Sequence, residues 1–417
     1  MNRFYTLLGF NPTIHSLRNE IVAGLTTFLV MVYILALTPN VLQGIVNDIT
    51  AQQMFTVTAL ACAAGSLLMA FVARVPIGVG PAVGVLFLAA NSVTNMMGYS
   101  FSFVLTAVCL EGVLFLIMSL TGLRQAIVES LPENLKRAIA LGIGLFIASL
   151  GFKNCGIFEH DGLFGLLDNL MMPSHQLFCI GLILTGVMIT KKVPGAMLFG
   201  IVITTLIGIP LGVTKFDGIM SMPESPMPLV FHFAPDQILT TDMFVVVTSL
   251  LVLDIFDTVG SAIGVMSIAG HINKRGRVPR MTRIFIADSL STIIGSCLGL
   301  TTCTSYVESA SGAAEGGKTG MTALVVSLCF FVSLFFSPIF LAIPPAATGP
   351  VLVLVGVILF GARQIETRDP VELIPCFLTI IVMPVSGSIF DGVVLAIIVY
   401  GFLSTFKSIV IEGIFKN

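Results

Sequence analysis

The sequence predicts an all-α polytopic membrane protein, and three observations support that prediction. Only 10% of its 417 residues are charged and 56% are hydrophobic, whereas a soluble domain carries about 25% charged residues. The mean hydropathy is +1.03. Apolar runs of about 20 residues recur from end to end, and each is long enough to cross a hydrocarbon core roughly 30 Å thick. A water-soluble globular fold is therefore excluded.

The apolar runs divide the chain into 14 predicted transmembrane spans, at residues 20–37, 54–73, 83–98, 102–121, 138–152, 176–190, 194–213, 242–268, 284–300, 306–316, 320–343, 348–361, 371–389 and 391–406. If both termini are cytoplasmic, 18 of the 20 Lys and Arg residues lie on the cytoplasmic side, and only Lys153 and Lys215 lie outside. The positive-inside rule requires such a bias. We therefore expect a multi-pass protein of the cell membrane (inner or plasma membrane) with both termini in the cytoplasm.

The remaining composition narrows the classes of function. The net charge of −2 offers no basic face for a nucleic acid partner. The eight cysteines are scattered and none forms a CxxC pair, so the sequence predicts neither a metal site nor a cofactor. An enzyme is disfavoured because no cluster of His, Cys or metal-ligand residues lies within a predicted span.

Two segments interrupt the pattern of continuous apolar helices. Residues 76–84 are broken by Pro and Gly, and residues 299–306 are rich in β-branched and small residues, which favour a short extended strand. About 224 residues separate them, and a similar distance separates the first span from the eighth. Seven spans in each half is an odd number, so the second half is expected to insert upside down. The sequence thus predicts a 7+7 inverted repeat whose third and tenth elements are broken.

Broken helices at matching positions of two halves indicate the binding site of a transporter. Extended backbone at membrane depth is tolerated only where it is buried in protein or lines a cavity. The alternative is that Gly and Pro merely kink packed helices, which is common in membranes.

Ionisable residues inside a span are costly and mark functional sites. The deep ones are all acidic: Glu111, Asp254, Asp257, Asp288 and Glu308, with Glu315 near the end of the tenth span. Since no Lys, Arg or His lies deep in a predicted span, each carboxylate must be protonated, hydrated or bound by backbone, hydroxyl or substrate donors. For Glu111 we expect a helix-to-helix hydrogen bond to a hydroxyl such as that of Ser119, and for Asp288 one to a hydroxyl such as that of Ser289.

The other acids lie beside the broken elements. Asp254 and Asp257 are spaced at i and i+3 and so share a helix face, with Ser261 one turn beyond. Glu308 lies in the first turn of a half-helix that begins near Tyr306. The backbone N–H groups there favour an acceptor, so Glu308 either faces a ligand or simply caps the helix.

Two carboxylates without a cation would repel an anion. A neutral, flat heterocycle with ring N–H and amino donors fits them, because each carboxylate accepts one or two hydrogen bonds. A proton could neutralise one acid and travel with the substrate, and sodium stays open on chemistry alone.

Three motifs resemble a known family. Residues 24–39 (GLTTFLVMVYILALTP), 256–265 (FDTVGSAIGV) and 301–322 (TTCTSYVESASGAAEGGKTGMT) resemble the azaguanine-resistance-like purine permeases. These belong to the nucleobase–cation symporter superfamily, also called the nucleobase–ascorbate transporters. The resemblance covers nearly the whole chain, and the third motif is very specific.

The resemblance implies an architecture and an activity. Spans 1–4 and 8–11 form a substrate-holding core (residues 1–130 and 241–345), and spans 5–7 and 12–14 form a gate (residues 131–240 and 346–417). The gate usually mediates dimerisation, so a homodimer is implied. The implied activity is proton-coupled uptake of a purine base (adenine, guanine, hypoxanthine or xanthine) across the lipid bilayer by alternating access.

The resemblance also assigns residues. Asp257 and Glu308 take the places of the carboxylates that bind the base and are implied to couple the proton, with Tyr306 beside the ring. The strand whose backbone faces the substrate is implied at Gly80, Pro81, Ala82 and Val83. Three positions depart from family patterns. Leu86 stands where adenine-type relatives have Asn, Thr38 replaces a common Asn, and Ser261 stands where uracil-type relatives have His. These departures concern the preferred base.

Two other classes of membrane protein are alternatives to a purine transporter. An anion exchanger of the same fold needs a positive site in the tenth span, which the acidic Glu308 disfavours. A channel or a non-transporting membrane receptor is the other class. A channel would need a continuous polar pore, whereas the polar residues cluster at the two broken elements.

Overall fold

The computed structural model describes residues 3–42, 45–46, 49–123, 132–157, 172–191, 193, 196–216, 218–271, 278, 280–361, 365–386 and 389–415. The predicted domain boundary at residues 130–131 lies outside these residues. So do residues 158–171 and most of the basic segment that follows His271.

The described chain is almost entirely helical, as its apolar runs predict. In chain order the helices are α1 (Arg3–Leu7), α2 (Leu17–Met31), α3 (Ile34–Leu42), α4 (Ala51–Leu68), α5 (Val83–Phe87), α6 (Phe101–Thr121), α7 (Glu133–Asn154), α8 (Pro173–Thr190), α9 (Ala196–Gly208), α10 (Thr241–Ile268), α11 (Met281–Leu298), α12 (Ser309–Ala314), α13 (Gly320–Ser333), α14 (Ser337–Leu341), α15 (Pro345–Gly361), α16 (Pro370–Ser386) and α17 (Ile389–Phe415). π-Helical segments extend α4 (Met69–Ala73) and α5 (Leu88–Met96), and short 3-10 segments lie at Pro235–Gln237 and Leu334–Phe336.

A helix lies within each predicted span. By length and composition, eight stretches of the described chain are long and apolar enough to cross a membrane: Leu17–Leu42, Ala51–Ala73, Phe101–Thr121, Glu133–Lys153, Pro173–Thr190, Thr241–Met266, Met281–Leu298 and Gly320–Leu341. The protein is thus a multi-pass membrane protein. The count of 14 spans, the 7+7 repeat and the cytoplasmic termini stay predictions.

The first predicted span is not continuous. α2 ends before Val32 and Tyr33, and the chain tightens there, because Leu35 N donates to Val32 O (3.0 Å) and Ala36 N donates to Tyr33 O (3.1 Å). No local pattern predicted this break, since the nearest Pro, Pro39, lies further along inside α3. The interruption places Tyr33 at the joint between two helices.

The two broken elements form a two-stranded antiparallel sheet. β1 (Val79–Pro81) pairs with β2 (Cys303–Ser305), and Gly80 is opposite Thr304, 224 residues later. Two backbone bonds extend the pairing, from Ala82 N to Thr302 O (2.8 Å) and from Tyr306 N to Gly78 O (3.0 Å). The extended conformation predicted for the second segment is confirmed, and the first segment pairs with it.

The helices pack in two groups. α2, α4, α6, α11, α12 and α13 contact mainly one another, and α7, α8, α9, α15, α16 and α17 do the same. Close packing in the second group depends on glycine, since an added Cβ would lie 2.6 Å from Met383 Sδ at Gly142 and 2.9 Å from Thr204 Oγ1 at Gly181. The division into core and gate domains stays a prediction.

Candidate substrate-binding site

A cavity lies between the two strands and the helices α7, α10 and α15. Its polar wall consists of Tyr33, Asp257, Thr304, Ser305, Tyr306 and Glu308. Ala82, Val83, Gly84, Leu253 and Val307 add apolar surface.

Tyr306 is held in place by the first strand. Its hydroxyl donates to Pro81 O at 2.6 Å, and its backbone N–H bonds to Gly78. Gly80 makes room for the ring, because a Cβ there would lie 3.0 Å from Tyr306 Cε2. The aromatic ring is therefore a fixed wall of the cavity.

Glu308 directly precedes α12 and makes no capping hydrogen bond with its side chain. Instead its Oε1 accepts a hydrogen bond from the hydroxyl of Tyr33 at 3.1 Å. The side chain lines the cavity and the residue is 8% exposed. This arrangement favours the ligand-facing role of Glu308 over simple helix capping.

Asp257 and Asp254 do not serve the same site, although their spacing predicted a shared face. Asp257 lines the cavity and is partly exposed. Asp254 is fully buried outside the cavity, and its Oδ1 lies 3.1 Å from Thr258 Oγ1. The paired carboxyls that face the cavity are therefore Asp257 and Glu308.

Four of the predicted substrate residues do not line the cavity. Ser261 donates to the carbonyls of Asp257 (2.9 Å) and Thr258 (3.1 Å) in its own helix. Thr38 is fully buried in α3. Gly80 and Pro81 contact Tyr306 outside the cavity: Gly80 makes room for its ring, and the carbonyl group of Pro81 accepts a hydrogen bond from its hydroxyl. Ala82, Val83, Tyr306, Asp257 and Glu308 are brought together as predicted.

The cavity also contains residues that the sequence analysis missed. Ile143 and Ile147 of α7 and Val355 of α15 form an apolar wall opposite the strands. No sequence signal distinguishes them, since they are apolar residues in apolar spans. Tyr33 could have been recognised as a candidate site residue, because it is one of only five Tyr residues in the chain and lies within the first predicted span.

Glu111 and Asp288 bind hydroxyl groups, as expected, but not the expected ones. Glu111 Oε2 accepts from Thr302 Oγ1 at 2.7 Å, while Ser119 donates to Phe115 O in its own helix. Asp288 Oδ1 accepts from Ser305 N (3.0 Å) and Ser305 Oγ (3.1 Å). The expected partners are unavailable because the hydroxyl groups of Ser119 and Ser289 bond to carbonyl groups of their own helices. Hydroxyl groups at the second strand bind the two acids instead.

The electrostatic character of the cavity is acidic. Its lining contains two carboxyl groups and, within the described part of the chain, no Lys, Arg or His. The described residues also contain no group of three or more His, Cys, Asp or Glu arranged to hold a metal ion. The geometry therefore suits a neutral ligand that carries hydrogen-bond donors.

The structure has the fold of two solved anion transporters. The transmembrane domain of a cyanobacterial bicarbonate transporter, BicA, superposes with a TM-score of 0.63 at 16% identity, over 93% of this chain and 97% of that chain. The murine solute carrier 26 family member A9, an anion transporter in the inward-facing state, gives a TM-score of 0.66 at 14% identity, over 98% and 72%. At such low identity the likeness shows the fold alone.

Sequence comparison identifies the family. Residues 18–394 match the Permease family, Xan_ur_permease. The guanine/hypoxanthine permease PbuO of Bacillus subtilis is 37% identical over 395 residues, which is 92% of this chain and 91% of the relative. The adenine permease AdeP of Escherichia coli is 34% identical over 385 residues, which is 92% and 86%. The chain therefore belongs to the Permease family, in line with the nucleobase–ascorbate transporter superfamily that its motifs indicated, and it is a transport protein rather than an enzyme.

Proposed function

We propose that the protein imports purine nucleobases (adenine, guanine, hypoxanthine or xanthine) together with protons, by alternating access. One observation carries the proposal: two carboxyl groups and a fixed tyrosine ring converge on a small cavity whose described lining has no cation. A purine presents N–H donors at its edge and a flat aromatic face, so it matches both features. The relatives named as adenine and guanine/hypoxanthine permeases support the same class of substrate.

Each wall of the cavity has a role in this proposal. Asp257 and Glu308 accept hydrogen bonds from ring and amino N–H groups, and Tyr306 packs beside the base. Ala82 and Val83 give the base a close approach to the backbone that follows β1. Either carboxyl can carry the coupled proton in this scheme. A protonated carboxyl group still binds the base, because it donates one hydrogen bond and keeps an acceptor oxygen.

An anion exchanger is the second candidate, and the solved neighbours transport anions. The chemistry of the cavity argues against it, because Asp257 and Glu308 would repel an anion in a site of low dielectric constant. A channel or receptor is also disfavoured, since the polar groups converge on one small cavity.

The composition of the cavity walls supports the proposal of alternating access. The strands and α10 belong to the predicted core, whereas Ile143, Ile147 and Val355 belong to the predicted gate. Apolar gate residues slide past a bound base without holding it by hydrogen bonds. The antiparallel pairing of Gly80 with Thr304 supports an inverted repeat, because antiparallel strands are related by a local two-fold axis, as the two halves of such a repeat are. In this scheme the gate also forms the homodimer contact.

Counterflow with radiolabelled bases tests the substrate class. Proteoliposomes loaded with unlabelled adenine, guanine, hypoxanthine, xanthine or uracil should take up the matching labelled purine, and uracil should serve poorly. Exchange of bicarbonate or sulfate without exchange of any purine would overturn the proposal.

Coupling needs a separate measurement. Purine uptake should fall when a protonophore collapses the pH gradient, and it should not depend on sodium. Uptake that persists without a pH gradient and disappears without sodium would contradict proton coupling while leaving the substrate class intact.

A further inference from the structure

A second group of acids lies outside the cavity, in Glu111, Asp254 and Asp288, all of them fully buried. The proposed binding of the base uses none of them. We propose that Glu111 and Asp254, here called the acid pair, form a second proton-binding site in addition to the substrate carboxyls, and that its proton must also exchange during the transport cycle. The transport cycle in this inference rests on the proposed function, whereas the bound proton does not.

The acid pair joins α6 to α10. The carboxyl group of Glu111 is in hydrogen-bond contact with that of Asp254. Its Oε1 is fully buried and receives a hydrogen bond from no donor in the described chain. Ionised carboxylates are acceptors only. The contact is therefore a hydrogen bond only when one of the two carboxyl groups carries a proton.

The contacts of the Thr258 hydroxyl give independent support for a proton on Asp254. It lies 3.1 Å from Asp254 Oδ1, 2.7 Å from Asp288 Oδ2 and 2.9 Å from Thr304 Oγ1. A hydroxyl donates one hydrogen, and Thr304 can donate in the third contact. Asp288 already accepts two bonds from Ser305, which favours its ionised form, so the hydrogen of Thr258 goes to Asp288. The contact with Asp254 then needs a proton on Asp254.

The groups that act on Glu111 are other carboxyl groups and a hydroxyl group. Asp288 of α11 acts on Glu111 from one side, and the thiol of Cys303 on β2 and the hydroxyl of Thr302 lie close by. No described Lys, Arg or His is among the charges acting on Glu111. Two carboxyl groups in contact away from water do not both ionise. A proton is the ligand that this arrangement requires.

The acid pair is connected to the substrate cavity through β2. Thr302, which donates to Glu111, also accepts from Ala82 N through its carbonyl group at 2.8 Å, and Ala82 lines the cavity. Thr304, which contacts Thr258, lines the cavity too. A change of charge at the acid pair thus acts on both strands. Because the pair is fully buried, its proton can exchange with water only when neighbouring elements move.

Glu111→Gln in proteoliposomes tests the coupling. The variant keeps the shape of the side chain but cannot titrate, so purine counterflow should be retained while accumulation driven by an imposed pH gradient is lost. Glu111→Asp keeps a carboxyl group and should restore gradient-driven accumulation. Ser119→Ala is the matched control on the same helix, because its buried hydroxyl bonds to Phe115 O, and it should change neither measurement.

Infrared spectroscopy tests the proton without transport. The wild type at neutral pH should show a C=O stretching band of a buried protonated carboxyl, which shifts in heavy water. Glu111→Gln should remove or shift this band, and Ser119→Ala should leave it unchanged.

The outcomes separate the two proposals. Gradient-driven accumulation and an infrared band that both survive Glu111→Gln would overturn the acid pair and leave the proposed function intact. A wild type that carries no purine would overturn the proposed function, and the infrared comparison would then decide on the acid pair alone. Accumulation driven by sodium rather than protons would overturn the coupling role of the pair.

Discussion

The hydroxyl group of Tyr33 donates a hydrogen bond to Oε1 of Glu308 across 275 residues of sequence. Tyr33 lies at the joint between α2 and α3, and Glu308 directly precedes α12, so the bond connects two interrupted elements from opposite halves of the chain. It also fixes the orientation of a carboxyl group that faces the cavity. Tyr33 is therefore a positioning residue for the proposed substrate acceptor.

Tyr33→Phe should weaken purine binding about tenfold, because a hydrogen bond to a charged group contributes about 1.5–3 kcal/mol and part of that energy orients Glu308. Equilibrium binding of a radiolabelled purine measures the effect. Tyr99→Phe is the matched control, since the Tyr99 hydroxyl also bonds a carboxyl group, that of Asp242, away from the cavity. Equal losses in the two variants would show that Tyr33 has no special role in binding.

Replacing either cavity carboxyl by its amide should abolish uptake. Glu308→Gln and Asp257→Asn each turn an acceptor oxygen into a donor that faces the N–H groups of the base, which should weaken binding by roughly ten- to a hundredfold. Asp257→Asn should also flatten any pH dependence of binding, because an amide does not titrate. Asp236→Asn, an exposed acid in a loop, controls for charge. The site would be misplaced if Glu308→Gln bound purines like the wild type at normal membrane expression.

Gly80→Ala should lower the affinity for the base about fivefold without blocking insertion. The new Cβ would lie 3.0 Å from Tyr306 Cε2, and the hydrogen bond from the Tyr306 hydroxyl to Pro81 O restrains how the ring can move. Overpacking of this kind costs about 1 kcal/mol or more, and the ring should yield toward the cavity. Gly186→Ala in α8, with no atom within 4 Å of the new Cβ, should bind normally. An unchanged affinity in Gly80→Ala would mean that the ring does not contact the base.

The N-terminal segment should loosen in acid. Burial is the main cause that lowers the pKa of His15 below its ordinary value of 6.5, and its Nδ1 accepts from Asn11 N at 3.0 Å. Because the folded segment takes up the proton less readily than the unfolded one, its stability is complete above pH 6.5 and falls as the pH drops below it. Hydrogen exchange at the Asn11 amide should accelerate there. His15→Gln should abolish this acceleration, and a persisting one would show that another group is responsible.

The sequence predicted those parts of the site that depend on local pattern. Matching offsets located two broken elements, and the β-branched residues of the second one predicted its extended conformation. The motifs drew attention to Asp257, Glu308 and Tyr306, which all line the cavity. Ser261 shares the helix-face pattern of Asp257 but does not line the cavity, because its hydroxyl bonds to carbonyl groups of its own helix.

Contacts between distant residues could not be predicted. The partner of Glu308 is Tyr33, and the partner of Glu111 is Thr302, 191 residues away. Nothing local marks Ile143 or Val355 as cavity residues, because apolar side chains in apolar helices all look alike until the helices are packed. These features arise from tertiary packing, which a single sequence does not encode in its periodicity.

The pairing of β1 with β2 makes the two halves of the molecule chemically unequal partners. Within the described chain each strand has the other as its ladder partner, so neither half completes the sheet alone. Val79–Pro81 brings main-chain groups and space, whereas the second half brings the hydroxyls of its strand together with Asp257 and Glu308. Two copies of the first half would offer a purine no acid, and two copies of the second would crowd four acids around it. The two parts of the single chain thus make different contributions to the site, and neither can replace the other.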